Sequence, residues 1–395
     1  MDRPLNILTL ASFFPHTAAP SFGIFIERQT AELASRSGVR VTVINPTGMP
    51  PWPLSCAAAY AALRGVPEQE SWHSLTVHRP RFTLIPGIGG PFNPRMIARA
   101  VLPLARRLHA ERPFDLIDAE FFYPDGPAAM RIARALHIPF TVKARGSDIH
   151  YWGRARGCAG QIADAANNAA GLLAVSQALK DDMVAIGMAA EKIRVHYTGL
   201  DQQTFRPVDR PAAKAALGIS GPLIICVGAL IPRKRQDLLI QSLSSLPGAT
   251  LLLVGKGTAE GNLRQLARKL NVADRVHFAG AIPHAQLPAL IGAADVLALV
   301  SQSEGLANAW VEGLACGTPI VISQAGGARE LLRSPAAGAI VRPDPAEIAT
   351  AISRILANPP SQEEVRAQVA HFSWRANGDQ LVEFFRSIAR RTAQP

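Results

Sequence analysis

The sequence predicts an α/β protein made of two doubly wound, Rossmann-like halves, and three observations predict it. Short apolar, β-branched runs alternate with amphipathic segments, the rhythm of parallel βαβ units with helices on both faces. The rhythm breaks at 205–222, around Pro207, Pro211 and Pro222, and then restarts, so one half ends near 206 and the next begins at 207. Finally, 395 residues with 48% hydrophobic and 18% charged side chains suffice for two packed cores and are too apolar for a disordered chain.

The first half opens with a buried strand at 5–11 and an amphipathic helix at 24–35. A strand at 39–45 follows, in which Val39, Val41 and Val43 alternate. Residues 46–94, rich in Pro and Gly, read as irregular. Regularity returns with strand 116–119, helix 126–137, strands 140–144 and 171–175, helix 177–186 and strand 193–196. The second half reads as strand 223–228, helix 236–246, strand 250–255, helix 259–270, strand 276–279, helix 286–293, strand 296–300, helix 309–315 and strands 319–323 and 339–341. Helices at 345–357, 363–372 and 374–391 follow. In such sheets ligands bind beyond the carboxyl ends of the strands, so two halves facing each other would make a cleft.

Composition narrows the class. Cys56, Cys158, Cys226 and Cys316 lie far apart with no C-x-x-C pair, which speaks against a disulfide scaffold or zinc module and for a reducing compartment. No apolar run of ~18 residues occurs, and the opening run is too short for a signal-peptide core, so a cytoplasmic protein is expected. The net charge of +11 divides evenly, with 22 Lys/Arg against 16 Asp/Glu up to residue 208 and 19 against 14 beyond it. Nucleic-acid binders gather basic side chains on one face with interleaved aromatics, and aromatics are only 6% here. An anionic small substrate or an anionic membrane surface fits at least as well. No Asp-x-Asp pair occurs and the histidines are scattered, so neither a bound metal nor a resident cofactor is expected.

The most informative stretch is 303–327, S-E-G-L-A-N-A-W-V-E-G-L-A-C-G-T-P-I-V-I-S-Q-A-G-G. Glu304 follows a strand end, and Glu312 lies eight positions on, inside the next helix. The loop between them opens that helix, whose free N–H groups suit phosphate oxygens. Two carboxylates beside a helix are often merely solvated. Here they sit in a complete strand–loop–helix–strand unit ending in Gly326-Gly327, which favours a functional pair.

This stretch resembles the nucleotide-sugar motif of the family-4 retaining glycosyltransferases with the GT-B fold. The resemblance extends over nearly the whole chain, through F-G-I-F-I-E-R-Q at 22–29, Asp118 to Gly126, R-G-S-D at 145–148, 199–205 and 227–235. It points most nearly to the branch that makes bacterial surface polysaccharides, including teichuronic-acid-type enzymes. By position, the resemblance implies that Glu304 lies against the donor hexose and Glu312 binds the nucleotide ribose. Gly305, Leu306 and Ala307 would offer backbone groups near the diphosphate. The family's G-R pair at the end of the second domain's first strand reads Gly228-Ala229 here. Its lysine matches Lys234, and Arg233 could restore the missing charge through a bidentate phosphate contact.

In the first half, Gly23 matches the family's loop glycine, where a side chain would crowd the donor phosphates or the acceptor. Its rival role is relief of a turn before the helix. Arg145 and Asp148 stand where the family often has H-G-x-D. Glu120 stands where relatives often carry His, in the segment D-A-E-F-F-Y-P-D-G. These three are candidate catalytic residues beside Glu304; a surface Arg145–Asp148 pair, or a Glu120–Arg145 pair, is the plainer alternative. Trp52, Leu54, Tyr60, Leu63, Arg79, Arg81, Phe82 and Ile85, with a basic and apolar helix at 93–111 carrying Arg95, Arg99, Arg106 and Arg107, suggest an interfacial surface.

The expected activity is transfer of a sugar from a nucleotide-diphosphate sugar, a co-substrate rather than a cofactor, to a sugar or lipid-linked hydroxyl acceptor. Retention at the anomeric carbon is implied, as is a part in bacterial polysaccharide or glycolipid assembly. Peripheral contact with the inner face of an anionic membrane is a further expectation. The alternatives are a nucleotide-sugar epimerase of the same fold, which would turn over donor without acceptor, and an inactive partner subunit, to which Ala229, Glu120 and Arg145 lend some support.

Overall fold

In the computed structural model, which describes residues 3–393, the chain folds into two units. One runs up to Gly199 and takes in the chain again from Trp374; the other is Leu200–Ser373. The segment 200–206 goes with the second unit because Phe205 is buried and its ring centroid lies 5.1 Å from that of His284.

The first unit holds an eight-stranded sheet. Across it lie Ile193–Val195, Gly171–Ala174, Phe140–Ala144, Leu116–Ala119, Leu5–Leu10, Val39–Ile44, Leu75–His78 and the edge strand Gln69–Trp72. All neighbours pair in parallel except the last two. Leu5–Leu10 is buried at every position, as expected of a central strand covered by helices on both faces. The strand order reverses direction between Leu5–Leu10 and Leu116–Ala119, which makes their carboxyl ends this sheet's switch point.

Residues 46–94 are more regular than expected. Leu75–His78 extends the main sheet, and a turn at His73 (φ 53°) folds Gln69–Trp72 back on it. Thr47–Met49 and Arg81–Thr83 form a small separate sheet. Strands of three or four residues among prolines are too short to display a period. Arg79, expected on the surface, is buried instead, donating to Glu70 and to the Pro15 carbonyl at 2.7 Å. Phe82 is buried too. The helix Ala159–Asn168, which buries Ile162, Ala165 and Ala166, escaped notice in the sequence.

The helix Asn93–Glu111 forms, but its apolar face is already covered. Ile97, Ala98, Val101 and Ala105 are buried, and the helix packs along Asp125–Leu136. Its arginine-bearing side faces solvent.

The helix Trp374–Ala393 completes the first core. Leu381, Phe384, Phe385 and Ile388 pack against Leu5, Ile7, Leu33, Leu116 and Leu173. Trp374 occupies the space beside Gly199 so fully that a Cβ on that glycine would lie 2.1 Å from the indole.

The second unit holds six parallel strands in the order Val276–Gly280, Thr250–Val254, Leu223–Val227, Val296–Leu299, Ile320–Ser323 and Gly338–Val341. By sequence within the unit this is the 3-2-1-4-5-6 order of dinucleotide-binding folds. Its switch point falls between Leu223–Val227 and Val296–Leu299. The expected helix at 363–372 is shorter. A capping box of Ser361 and Glu364 starts Gln362–Ala367, after which the chain passes into turns.

Candidate functional site

In the second unit, the chain leaves the two switch-point strands carrying opposite charges. After Leu223–Val227 it turns through Gly228 and a short 3-10 turn, Pro232–Lys234. After Val296–Leu299 it runs to Glu304, which is buried. Lys234 Nζ lies 2.5 Å from Glu304 Oε1, and an Arg233 guanidinium nitrogen lies 3.6 Å from Oε2. Arg233 also donates to the Ser303 carbonyl, while the Gln302 N–H donates to the Arg233 carbonyl at 2.9 Å. Both cations therefore address one carboxylate, and Arg233 stands on the side of Lys234 although Ala229 carries no charge.

Glycines allow this crossing. A Cβ on Gly326 (φ +49°) would lie 2.2 Å from the Gly305 carbonyl oxygen and 2.3 Å from that of Glu304. The next residue, Gly327, donates its N–H to the Gly305 carbonyl at 2.8 Å. A Cβ on Gly255 would lie 2.1 Å from the Gly228 oxygen, and one on Gly257 2.2 Å from the Leu230 oxygen. Gly228 itself is less constrained, since a Cβ there would touch only the Lys234 methylenes, at 3.7 Å. The close backbone approaches lie across the sheet at Gly255 and Gly257, which sequence reasoning did not single out, and the G-K-G at 255–257 was the available signal.

Leu306 and Ala307 are both buried and lead into the helix Asn308–Ala315, whose amino end has no side-chain cap. Four residues into that helix, Glu312 Oε1 lies 2.7 Å from His284 Nε2. Sequence reasoning missed His284, which the fold brings in from the turn preceding the helix Leu287–Ala293. Its Nδ1 is buried without a hydrogen-bond partner, so the ring's fixed contacts are Glu312 on one edge and Phe205 on one face.

The first unit's switch point carries Glu120, directly after Leu116–Ala119 and fully buried. Its Oε1 accepts from the Gln29 amide and its Oε2 from the Arg145 guanidinium; Arg145 Nε also donates to the Glu120 carbonyl at 2.8 Å. The Arg145 guanidinium lies over the Phe25 ring at 4.9 Å, a cation–π contact. The two departures from the family pattern, Glu for His at 120 and Arg for His at 145, are thus partners of each other.

Asp148 holds together the backbone around it. Its carboxylate is fully buried and accepts backbone N–H groups of Phe122 (2.8 Å), Arg145 (3.0 Å), Gly146 (2.8 Å) and Ile149 (3.2 Å). Burial raises its pKa above the ordinary carboxylate range, against the pull of those N–H groups. It shapes the loop that aims Arg145. Gly23 likewise has a packing role, for at φ +72° a Cβ would lie 2.7 Å from the Phe13 carbonyl carbon and oxygen.

Beneath Glu120 runs a buried polar chain that no sequence pattern announced. Lys143 Nζ reaches Gln29 Oε1 at 2.5 Å and His196 Nδ1 at 2.7 Å. His196 Nε2 lies 2.9 Å from the Asn377 carbonyl, on the helix Trp374–Ala393. Burial and the nearby Arg145 charge push the Lys143 ammonium down to about 7, and burial holds His196 well below its ordinary value. Asp118, which accepts from Thr141 at 3.0 Å, is raised well above the carboxylate range by burial and the Glu120 charge. Asp125 accepts from the Ser12 N–H at 3.0 Å, and burial lifts it to about 7. Among the described residues, no three His, Cys, Asp or Glu side chains are grouped as a metal site.

Both parts of the chain match family models. Residues 24–204 match the model of "Glycosyltransferase Family 4" and residues 209–372 that of "Glycosyl transferases group 1". Curated relatives include D-inositol 3-phosphate glycosyltransferases of Segniliparus rotundus, 35% identical over 51% of this chain and 48% of that protein, and of Mycobacterium tuberculosis, 33% identical over 51% and 45%. These matches thus span about half the length of the relatives. Among solved structures, a sucrose-phosphate synthase from Thermosynechococcus elongatus superposes with a TM-score of 0.80 at 22% identity, covering 97% of this chain and 99% of that one. HepE of Anabaena, in complex with UDP and glucose, gives 0.75 at 22%, covering 97% and 100%. The chain thus joins a family-4 glycosyltransferase part, over 24–204, to a group-1 glycosyl transferase part, over 209–372.

Proposed function

We propose that the protein moves a sugar from a nucleoside-diphosphate sugar to a hydroxyl acceptor with retention at the anomeric carbon. The observation that carries this reading is the Lys234–Glu304 contact of 2.5 Å at the switch point of a 3-2-1-4-5-6 sheet. Ligands bind at that position in such sheets, and a diphosphate arriving there would take over the charge of Lys234 and Arg233 from Glu304. Glu304 is then released toward the donor sugar, and the uncapped helix start at Ala307 and Asn308 faces phosphate oxygens. Glu312, held by His284, takes the ribose hydroxyls.

In the transfer step, the bond from the anomeric carbon to the diphosphate oxygen breaks and a bond to the acceptor oxygen forms on the same face. The acceptor proton passes to the departing phosphate. Two side-chain cations and helix dipoles supply the stabilisation of the leaving group without a metal or cofactor, so activity should survive excess EDTA. The acceptor is assigned to the first unit, with Glu120 and Arg145 beside it, and is a sugar or a lipid-linked sugar in bacterial polysaccharide or glycolipid assembly. Four free cysteines fit a cytoplasmic setting. No helix of the described residues is long and apolar enough to cross a membrane, so contact with the inner leaflet would be peripheral.

Because the Anabaena neighbour is solved with UDP and glucose, UDP-glucose is the first donor to try. Calorimetry should show donor binding that Glu312→Ala weakens by about 1–3 kcal/mol, the scale of losing a buried acceptor. Unchanged affinity removes Glu312 from the ribose site. Glu304→Gln should lower turnover more than donor affinity. Product from a panel of donors, identified by mass spectrometry, tests the reaction itself. An epimer formed without acceptor would replace the transfer reading, and donor binding without turnover on any acceptor would leave a partner subunit.

A further inference from the structure

Ten large hydrophobic side chains are exposed among the described residues, and six of them sit on three loops of the first unit: Trp52, Leu54, Ile85, Ile88, Phe92 and Tyr151. Contacts tie these loops together. The Leu84 N–H donates to the Met49 carbonyl at 2.9 Å, setting the loop that carries Trp52 beside the one that carries Ile85. The Tyr123 hydroxyl donates to the Gly90 carbonyl at 2.6 Å, and its ring lies 5.0 Å from Trp152, the neighbour of Tyr151. A Cβ on Gly157 would lie 3.3 Å from Pro91. The six side chains therefore share one region of the surface, and they stand out at loop tips, Trp52 being 81% and Ile88 71% exposed.

The charge around them is mainly basic, with Asp182, paired to His150 at 2.8 Å beside the Tyr151 loop, as an exception. Arg64 and Arg81 are exposed at the edge of the Trp52 loop, where Arg64 donates to the Ser55 carbonyl at 2.6 Å and Arg81 to the Arg64 carbonyl at 3.0 Å. Arg95 and Arg99 project from the start of the helix Asn93–Glu111, and Arg154 and Arg156 follow Tyr151; all four are exposed. Between 49 and 99 the only acidic residues are Glu68 and Glu70, the latter paired with buried Arg79; between 150 and 160 there are none. A flat apolar surface ringed by mixed charge suits a protein partner. Separate aromatic and aliphatic tips set among arginines suit the boundary between headgroups and acyl chains of an anionic bilayer.

We propose that these three loops are the face by which the enzyme docks peripherally on an anionic phospholipid surface. The tips enter the interface and the arginines meet the headgroups. The proposal deepens the reading of a lipid-linked acceptor, yet its test needs neither donor nor acceptor. The full chain should co-sediment with phosphatidylcholine vesicles containing about one-third phosphatidylglycerol, and much less with pure phosphatidylcholine. Arg95→Gln should weaken partitioning about fivefold, the scale for one arginine at an anionic surface. The triple variant Trp52→Ser, Ile88→Ser, Phe92→Ser should weaken it at least tenfold with an unchanged melting temperature. Fluorescence quenching by lipids brominated in the acyl chain should fall in Trp52→Phe.

Failure to bind the anionic vesicles, or equal binding by the triple variant, overturns the proposal. So does a dimer of the parent chain that the triple variant dissolves, which would make this face an interface between copies. Loss of vesicle binding leaves donor calorimetry untouched, so the two readings fail separately.

Discussion

Removing both partners of the Glu120–Arg145 pair should cost no more than removing the costlier one alone, well short of the sum of the two single changes. Glu120 is 1% exposed and both of its carboxylate oxygens are engaged, so Arg145→Met takes from a buried carboxylate its paired cation and leaves it the Gln29 amide beside Asp118 and Lys143. Losing one member of a buried pair typically costs about 3–5 kcal/mol. Glu120→Gln is milder in shape but leaves the guanidinium over Phe25 with only neutral acceptors, and about 2–3 kcal/mol is expected. The double variant should cost about as much as the worse single one, a coupling of roughly 2–3 kcal/mol. Urea unfolding followed by tryptophan fluorescence reads all four corners of the cycle. Singles that add to within ~0.5 kcal/mol would refute the pairing as an energetic unit. If Glu120→Gln also keeps its stability while turnover falls about a hundredfold or more, Glu120 acts on substrate and the contact with Arg145 is incidental.

Other perturbations follow from the same coordinates. Asp125 is lifted from the ordinary carboxylate range to about 7, so the folded state holds its proton where the unfolded chain has lost it. Its contribution is full below the unfolded pKa and is lost as pH rises toward 7. Stability of Asp125→Asn relative to the parent should therefore grow between pH 4 and 8, by on the order of 3 kcal/mol; a difference independent of pH in chemical unfolding would refute the assignment. Phe385→Ala removes a fully buried ring from the first core and should cost about 3–5 kcal/mol. In calorimetry only the transition of the first unit should move, and a shift confined to the second would count against the packing described. Gly326→Ala should displace the Glu304–Gly305 peptides and weaken donor binding at least tenfold, whereas Gly228→Ala should weaken it less; the reverse order would show that the wrong glycine has been singled out.

The parts that were legible in the sequence are those with a period. Leu5–Leu10, Val39–Ile44 and the strands of the second unit are runs of buried β-branched and aliphatic residues between turn signals. The nucleotide motif was legible because Glu304 and Glu312 sit in one contiguous stretch of chain. What escaped depends on distance along the chain. His284 meets Glu312 from 28 residues away, and Lys143 meets His196 from 53. A lone histidine or a lysine inside a strand carries no local mark of such a partner. Asp148 shows the same limit from the other side, since its residue type fits a catalytic role and nothing in the local sequence marks that backbone N–H groups engage both of its oxygens.

The order of the chain bears on how the molecule comes off the ribosome. The first unit's sheet is synthesised early, but the helix that seals it, Trp374–Ala393, emerges only after the whole of Leu200–Ser373. Until then Leu5, Leu33, Leu116 and Leu173 lack Phe384, Phe385 and Ile388 as neighbours, and the half-built sheet presents an open apolar face. The second unit has no such debt and can fold as soon as it clears the exit tunnel. The first unit's sheet is thus sealed only after the whole of the second unit has been made. A nascent chain stalled before Trp374 would be a natural client for chaperones that hold exposed apolar sheets.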